Sequence, residues 1–284
     1  MILKICEKTG GGVRAVCQVL ELPRSSFYQA ASETSQQASD RQTGALIEEI
    51  FNRHQGRYGY RRIVAELSDH GVVCSADRTR RLMKERGLRA IAPKRFAPKT
   101  SDGKASRPAA NLLKNQPLPE HKNAVWAGDI TYIPTASGWL YLAVIIDLYS
   151  RRIVGWSLAA HMRAALVSDA MKNALQIRQP QPGLIFHSDR GSQYSSCAFR
   201  SILKHSHIRQ SMSAKANPYD NAWTESFMGT LKLELVQKQS YETEDQARLK
   251  IFEYIESYYN TQRKHSAIDY LSPSQFENSI LTLN

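Results

Sequence analysis

The stretch Val125-Trp126-Ala127-Gly128-Asp129-Ile130-Thr131-Tyr132-Ile133 is rich in β-branched and aromatic residues and reads as a strand, with Asp129 inside it. A second acid, Asp189, closes the apolar run Gly183-Leu184-Ile185-Phe186-His187-Ser188, after which Arg190-Gly191-Ser192 breaks the pattern into a loop. A third, Glu225, follows after 35 intervening residues, where Trp223, Phe227, Leu231 and Leu235 recur every four positions and define a buried helical stripe. Glu225 falls off that stripe. Offsets of four and seven bring Asn221, Glu225 and Lys232 onto a neighbouring face, and Asn221 is a candidate N-cap.

Two strand ends and one helix thus each supply a carboxylate. Phosphodiester cleavage and transfer place negative charge on the attacking and leaving oxygens, and a pair of metal ions about 3.5–4 Å apart stabilises both. Hard cations such as Mg²⁺ take oxygen ligands, among them one or two carboxylates. Taken singly, each acid reads as an ordinary cap, turn or surface residue. Taken together they fit a divalent metal site.

Around these acids the pattern gives strand (125–133), a turn at Ser137-Gly138, strand (139–147), a turn near Ser150, strand (151–157), helix (162–178), strand (183–188), helix (196–206), strand (208–213) and the Glu225 helix. Three antiparallel strands followed by alternating helices and strands make a mixed α/β sheet covered by helices.

Ahead of this core the chain is basic. The whole sequence carries 38 Lys and Arg against 26 Asp and Glu, net charge +12, a balance that favours a polyanionic partner. Residues 53–107 hold fifteen Lys and Arg against five Asp and Glu, so a net +10 lies there. The bland reading is a solvated charge run; the functional one is a surface that neutralises phosphates with little sequence information of its own. Tyr60 to His70 carries Ile63, Val64 and Leu67, Gly71 is a C′ residue, and Ser75 caps a helix through Leu82 and Met83 to Gly87. Arg61, Arg62, Arg78, Arg80, Arg81 and Lys84 are expected on its exposed surface as DNA contacts. Further upstream, Val13–Leu20 and Glu21–Tyr28 read as two short helices about Leu22-Pro23. They are either half of a helix-turn-helix presenting Arg24, Ser25 and Ser26, or a small packing hairpin. The polar stretch Ala31–Asp40 reads as a hinge.

The expected organisation is therefore an N-terminal helical segment (1–40), a basic helical DNA-binding domain (41–91), a Pro- and Lys-rich linker (92–120), the catalytic core (121–260) and a C-terminal tail (261–284). No apolar run reaches about 18 residues and the N-terminus is charged too early for a signal peptide, so a cytoplasmic, DNA-associated protein without membrane contact is expected. Cys6, Cys17, Cys74 and Cys197 are scattered, which argues for buried free thiols rather than disulfides. His70 and Cys74 lack further ligands, so no structural zinc is expected.

The segments Trp126-Ala-Gly-Asp129-Ile-Thr-Tyr132, His187-Ser-Asp189-Arg-Gly-Ser-Gln-Tyr194, Tyr219-Asp-Asn-Ala-Trp-Thr-Glu225-Ser-Phe227 and Tyr258-Tyr-Asn-Thr-Gln-Arg-Lys-His265-Ser266 resemble the ordered motifs of bacterial insertion-sequence transposases with a retroviral-integrase-like core. More narrowly, they resemble the second-frame product of elements with two overlapping reading frames. The resemblance spans about residues 10 to 277 and implies a ribonuclease-H-like core, with Asp129 on the central first strand, Asp189 just after the neighbouring fourth and Glu225 brought over the same edge. It implies two Mg²⁺ ions, with Mn²⁺ as a substitute, held by Asp129, Asp189 and Glu225, with Asp129 bridging. It also implies Lys232 on the terminal backbone phosphate, cleavage at element ends, and 3′-OH strand transfer.

The partners implied are double-stranded DNA (terminal repeats and target), a second copy of the chain on DNA, and an upstream-frame helix-turn-helix protein or a frameshift fusion with it. Arg190 and Gln193 are DNA-contact candidates by motif membership, and Arg263, with Tyr259, Asn260 and His265, either packs beneath the site or holds a phosphate. Asp147 reads as a turn residue or an arginine partner, His187 as a packing residue, and Asn217 and Asp220 as loop and cap residues. Two competing classes stand beside this reading. One is a DNA-binding subunit without chemistry, active only with its upstream partner, and the other is a nuclease acting on RNA–DNA hybrids.

Overall fold

The computed structural model describes residues 13–21, 23, 34–92, 108–214 and 222–281. Cys6, Arg24, Ser25, Ser26, Asn217, Asp220, Asn221 and the middle of the expected linker lie outside these. The chain divides into two units, Met1–Ile91 and Ala92–Asn284.

In the first unit, α1 (Val13–Val19) buries Val16 and Cys17. Three further helices, α2 (Ser35–Arg53), α3 (Tyr60–Asp69) and α4 (Ala76–Glu85), enclose a small core of Ile47, Ile50, Tyr58, Ile63, Leu67, Cys74, Leu82 and Met83. The sequence reading of the second pair holds in detail. Gly71 lies at φ +73°, Val72 N–H bonds to Leu67 O and Gly71 N–H to Ser68 O, a pairing that satisfies the last carbonyls of α3. Ser75 Oγ accepts from Arg78 N–H at 3.2 Å and starts α4.

The hinge expected over Ala31–Asp40 is corrected from residue 34 onward. Thr34 Oγ1 accepts from Gln37 N–H, Gln37 Oε1 accepts from Thr34 N–H, and this reciprocal box launches α2 through the boundary drawn at residue 40. Asp40 then receives Arg78 Nε at 2.7 Å and Arg81 Nη2 at 2.5 Å, tying α4 to α2.

In the second unit a five-stranded sheet runs in the order β3-β2-β1-β4-β5. Its strands are β1 (Val125–Thr135), β2 (Gly138–Asp147), β3 (Ile153–Ala159), β4 (Ile185–Ser188) and β5 (Arg209–Met212). The first three are antiparallel; β4 runs parallel to β1, and β5 to β4. Alternation along β1 sends Trp126 to one face and Val125, Ala127 and Ile133 to the other. On the Trp126 face lie α5 (Ala164–Arg178) and α6 (Cys197–His205); on the opposite face lie α7 (Ala222–Glu234), α8 (Glu244–Phe252) and the π-helical turn Glu253–Tyr259. Cys197, read as a buried thiol, is exposed in the first turn of α6.

Two stretches read as linker and tail pack on this unit. Leu112 N–H bonds to Ser211 Oγ, Met212 N–H to Ala110 O, and Leu113 packs against the core, so residues 109–113 lie along β5. In α9 (Pro273–Leu281), buried Glu277 accepts from Ser150 Oγ at 2.7 Å, from Arg152 at 2.9 Å and from Arg178 through two bonds of 2.8 Å. Burial pushes its carboxyl upward, but the bonds from Arg178, Ser150 and Arg152 with the Arg178 charge together outweigh that and hold it below the usual glutamate range.

Gly155 shows how closely α5 sits on the sheet. A Cβ there would fall 2.4 Å from Ala170 O and 2.6 Å from Ala174 Cβ. Gly155→Ala is expected to cost about 1–3 kcal/mol, read by urea denaturation, because backbone rather than a flexible side chain must yield.

Candidate active site

The parallel register fixes the two aspartates side by side. Gly128 pairs with Ser188 across β1 and β4, so Asp129 and Asp189 follow side by side at the point where β4 ends and β1 runs on. Asp129 follows the same alternation as Ala127 and Ile133, toward the face covered by α7, and Glu225 lies in the first turn of α7.

Each aspartate is held by one oxygen. Asp129 Oδ1 accepts from Ile130 N–H at 2.8 Å, and Asp189 Oδ1 from Gly191 N–H at 2.9 Å. Asp189 and Glu225 both lie near enough for their charges to act on Asp129. Desolvation by the surrounding protein, then the charge of Asp189, then that of Glu225 push the Asp129 carboxyl up to about 7, against the opposing pull of the Ile130 N–H and Lys232. Tyr194 reports the same neighbourhood. Burial, then the charges of Asp129 and Asp189, hold its phenol well above the ordinary range.

Gly128 makes room for this packing, because a Cβ there would meet Phe186 at 2.6 Å and the Tyr194 hydroxyl at 3.5 Å. Tyr194 carries no role that its sequence neighbourhood alone announces. The signal available was a glycine inside a bulky strand, which marks close approach.

Among the described residues no three His, Cys, Asp or Glu side chains already form a metal cluster. The donor set nevertheless fits a hard cation. It consists of carboxylate oxygens, Oδ2 of each aspartate takes no part in the backbone bonds that hold Oδ1, and the burial and neighbouring negative charge that raise Asp129 are what a bound cation would offset.

Lys232 stands half-buried two turns after Glu225, its Nζ 4.2 Å from the centre of the Tyr132 ring. The helix carrying both is anchored from behind. Phe227 meets Tyr259 edge to face at 4.8 Å, and Glu234 at its end accepts from Tyr254 OH at 2.8 Å.

Of the two roles expected for Arg263, holding a phosphate gives way to packing beneath the site. Its buried guanidinium donates Nε and Nη2 to Glu234, at 2.7 Å for the closest bond. Although burial pulls its pKa down, the bonds to Glu234 and the charge of that carboxylate, with the neighbouring tyrosines, raise it overall, so it serves as a fixed cation beneath α7. Asn260 likewise packs, bonding both Ile153 N–H and Ile153 O. Asp147 proves to be the turn acid and arginine partner expected, accepting from Tyr149 N–H, Asn123 N–H and, at 3.3 Å, Arg178. His187 is buried against Ser211 Oγ at 2.8 Å.

Other cationic candidates also have partners within the chain. Arg78 and Arg81 are drawn to Asp40, Arg80 stacks over the Tyr60 ring at 4.6 Å, and Arg61 Nε donates to Tyr60 OH at 3.2 Å. Arg62 lies over the Tyr58 ring at 5.6 Å, Lys84 is exposed, Arg190 Nε donates to Ser213 O and Gln193 Nε2 to Met162 O. The conspicuous basic charge of α4 is therefore partly an interhelical tie.

Family models described as integrase core domain match residues 119–218 and 206–273, and one described as HTH-like domain matches residues 37–96. The chain is 47% identical over 232 residues to a transposase for insertion sequence element IS904 of Lactococcus lactis, covering 81% of this chain and 91% of that one. The chain belongs to the insertion-sequence transposases. A second relative, transposase InsF for insertion sequence IS3A of Escherichia coli, is 39% identical over 273 residues, 95% of each chain. Among solved structures the transposase is similar to the HTLV-2 integrase catalytic core domain in complex with magnesium, at 17% identity in its dimeric form, with a TM-score of 0.42 and covering 55% of this chain and 97% of that one. The protein is thus a DNA-binding enzyme of the DDE transposase and integrase class. These matches do not favour a DNA-binding subunit without chemistry. Among the described residues no helix is long and apolar enough to cross a membrane.

The raised Asp129 pKa has a signed consequence for metal-free protein. Between the ordinary aspartate range and about 7 the folded chain keeps a proton that the unfolded chain has released. Stability is therefore full at low pH and falls as pH rises through about 7. Asp129→Asn removes that loss. In chelator-treated protein the variant should gain on wild type between pH 5 and 8, by on the order of 2–4 kcal/mol in chemical denaturation. A difference independent of pH contradicts the assignment.

Proposed function

We propose that Asp129, Asp189 and Glu225 are the catalytic residues of this transposase and that they hold two divalent cations, Mg²⁺ with Mn²⁺ as a substitute. The observation that carries this reading is the placement of Asp189 beside Asp129 by strand register and of Glu225 in the first turn of α7, both near enough for their charges to act on the buried Asp129 carboxyl. When bound, the cations supply positive charge to the attacking and leaving oxygens of a phosphodiester. One oxygen of Asp129 and one of Asp189 are each anchored by a backbone N–H, which lowers the reorganisation needed when a scissile phosphate arrives. Glu225 closes the site from α7, and Lys232 holds a backbone phosphate of the terminal strand.

Water attacks the phosphodiester at an element end, the P–O3′ bond breaks and a 3′-OH leaves with the proton. That hydroxyl then attacks a second phosphodiester, forming one P–O bond as another breaks, so strand joining needs no external energy source. Arg61, Arg62, Arg80 and Lys84 of the first unit face backbone phosphates of the terminal repeats and target. Two copies meet on DNA because two ends must be joined, with an upstream-frame helix-turn-helix protein supplying recognition of the terminal repeats, in the bacterial cytoplasm.

The test is strand transfer on a labelled duplex ending in the element's own terminal repeat, with Mg²⁺ and with the upstream-frame protein supplied. Glu225→Gln should lower joining at least about 100-fold while duplex affinity is kept, the scale of losing one electrostatic stabiliser. Joining at the wild-type rate by this variant removes Glu225 from the chemistry.

A further inference from the structure

Lys232 reaches a part of β1 that lacks a strand neighbour on one side. Strand β4 pairs only with Val125–Gly128, so from Asp129 onward the edge of β1 opposite β2 is open among the described residues. Against this open stretch the Lys232 ammonium sits 4.2 Å from the centre of the Tyr132 ring. The ring is itself braced. Trp139, at the start of β2, meets it edge to face with centroids 5.1 Å apart and planes at 82°.

Three features make this more than surface packing. Lys232 is half-buried, and among the described residues it has no ion pair; the aromatic face is the contact the structure gives its ammonium. Its three N–H donors therefore stay open for an incoming oxyanion while its position is set by the ring quadrupole. A carboxylate partner would instead have filled those donors and cancelled the charge. The location is also specific. Tyr132 lies three residues beyond Asp129 on the same strand, and Lys232 is close enough for its charge to be felt by Asp129. Trp139 is 54% exposed, so the brace itself lies at the surface beside the site rather than deep in the core.

We infer that Tyr132, braced by Trp139, is a positioning residue for Lys232, holding an uncommitted ammonium beside the carboxylate cluster to receive a backbone phosphate of the substrate strand. The inference rests on the reading of Lys232 as a phosphate-holding residue and adds the aromatic device that aims it.

The test is a double-mutant cycle in the joining reaction that wild-type protein supports, recording kcat and KM for the terminal duplex. Tyr132→Phe keeps the ring face and should stay within about twofold of wild type, whereas Tyr132→Leu should raise KM about 3- to 10-fold with kcat little changed. In the Lys232→Met background, Tyr132→Leu should add no further loss, and thermal unfolding of each variant separates this coupling from a change in stability. Equal effects of Phe and Leu, or losses that multiply across the two sites, overturn the inference and leave the reading of Lys232 standing. Unchanged joining by Lys232→Met alone overturns both.

Discussion

Carboxylates that repel one another stay together only where the surrounding packing is stiffer than the repulsion. Asp129 sits on the central strand, with antiparallel β2 on one side and parallel β4 on the other, and hydrophobic clusters on both faces fix that strand in place. The register of β1 with β4 then leaves Asp189 no choice but to emerge beside it. Glu225 is brought in by a helix that is itself pinned by the buried Glu234, Arg263 and Tyr254 group and by Phe227 on Tyr259. Removing one partner of such a buried pair leaves an uncompensated charge and costs about 3–5 kcal/mol, enough to displace the helix it secures.

Charge in this protein works in two modes that composition does not separate. Arg78, Arg81, Arg152, Arg178 and Arg263 are all paired with acids inside their own unit. They shape the scaffold. Lys232, held by a ring instead of an acid, and Lys84, exposed on α4, keep their charge available for phosphate. A net charge of +12 announces a polyanionic partner, while the pairing pattern decides which cations can meet it.

The catalytic unit was legible because its strands follow the simplest rules. β-branched and aromatic runs ended by Gly, Ser and Arg gave five strands close to their observed limits, and the four-residue stripe of Phe227 and Leu231 gave the helix carrying Glu225. What escaped has physical causes. The start of α2 is built from Ser, Gln and Asp, residues equally at home in a loop, and its signal is the reciprocal Thr34–Gln37 cap rather than any apolar period. The two roles of Arg263 stay open in the sequence because its partner Glu234 lies 29 residues away and spacing carries no hint of their meeting. Likewise Glu277 and residues 109–113 look polar or irregular, and only the folded sheet reveals that Arg178 and the edge of β5 are waiting for them.

Burial together with the charges of Asp189 and Glu225 raises the Asp129 carboxyl. The most direct measurement of this is the pKa of Asp129 by carboxyl-carbon NMR in metal-free wild type and in Asp189→Asn. Titration near 7 is expected in wild type, with a clear downward shift once the neighbouring charge is removed. An Asp129 that titrates in the ordinary aspartate range and ignores the substitution would contradict it.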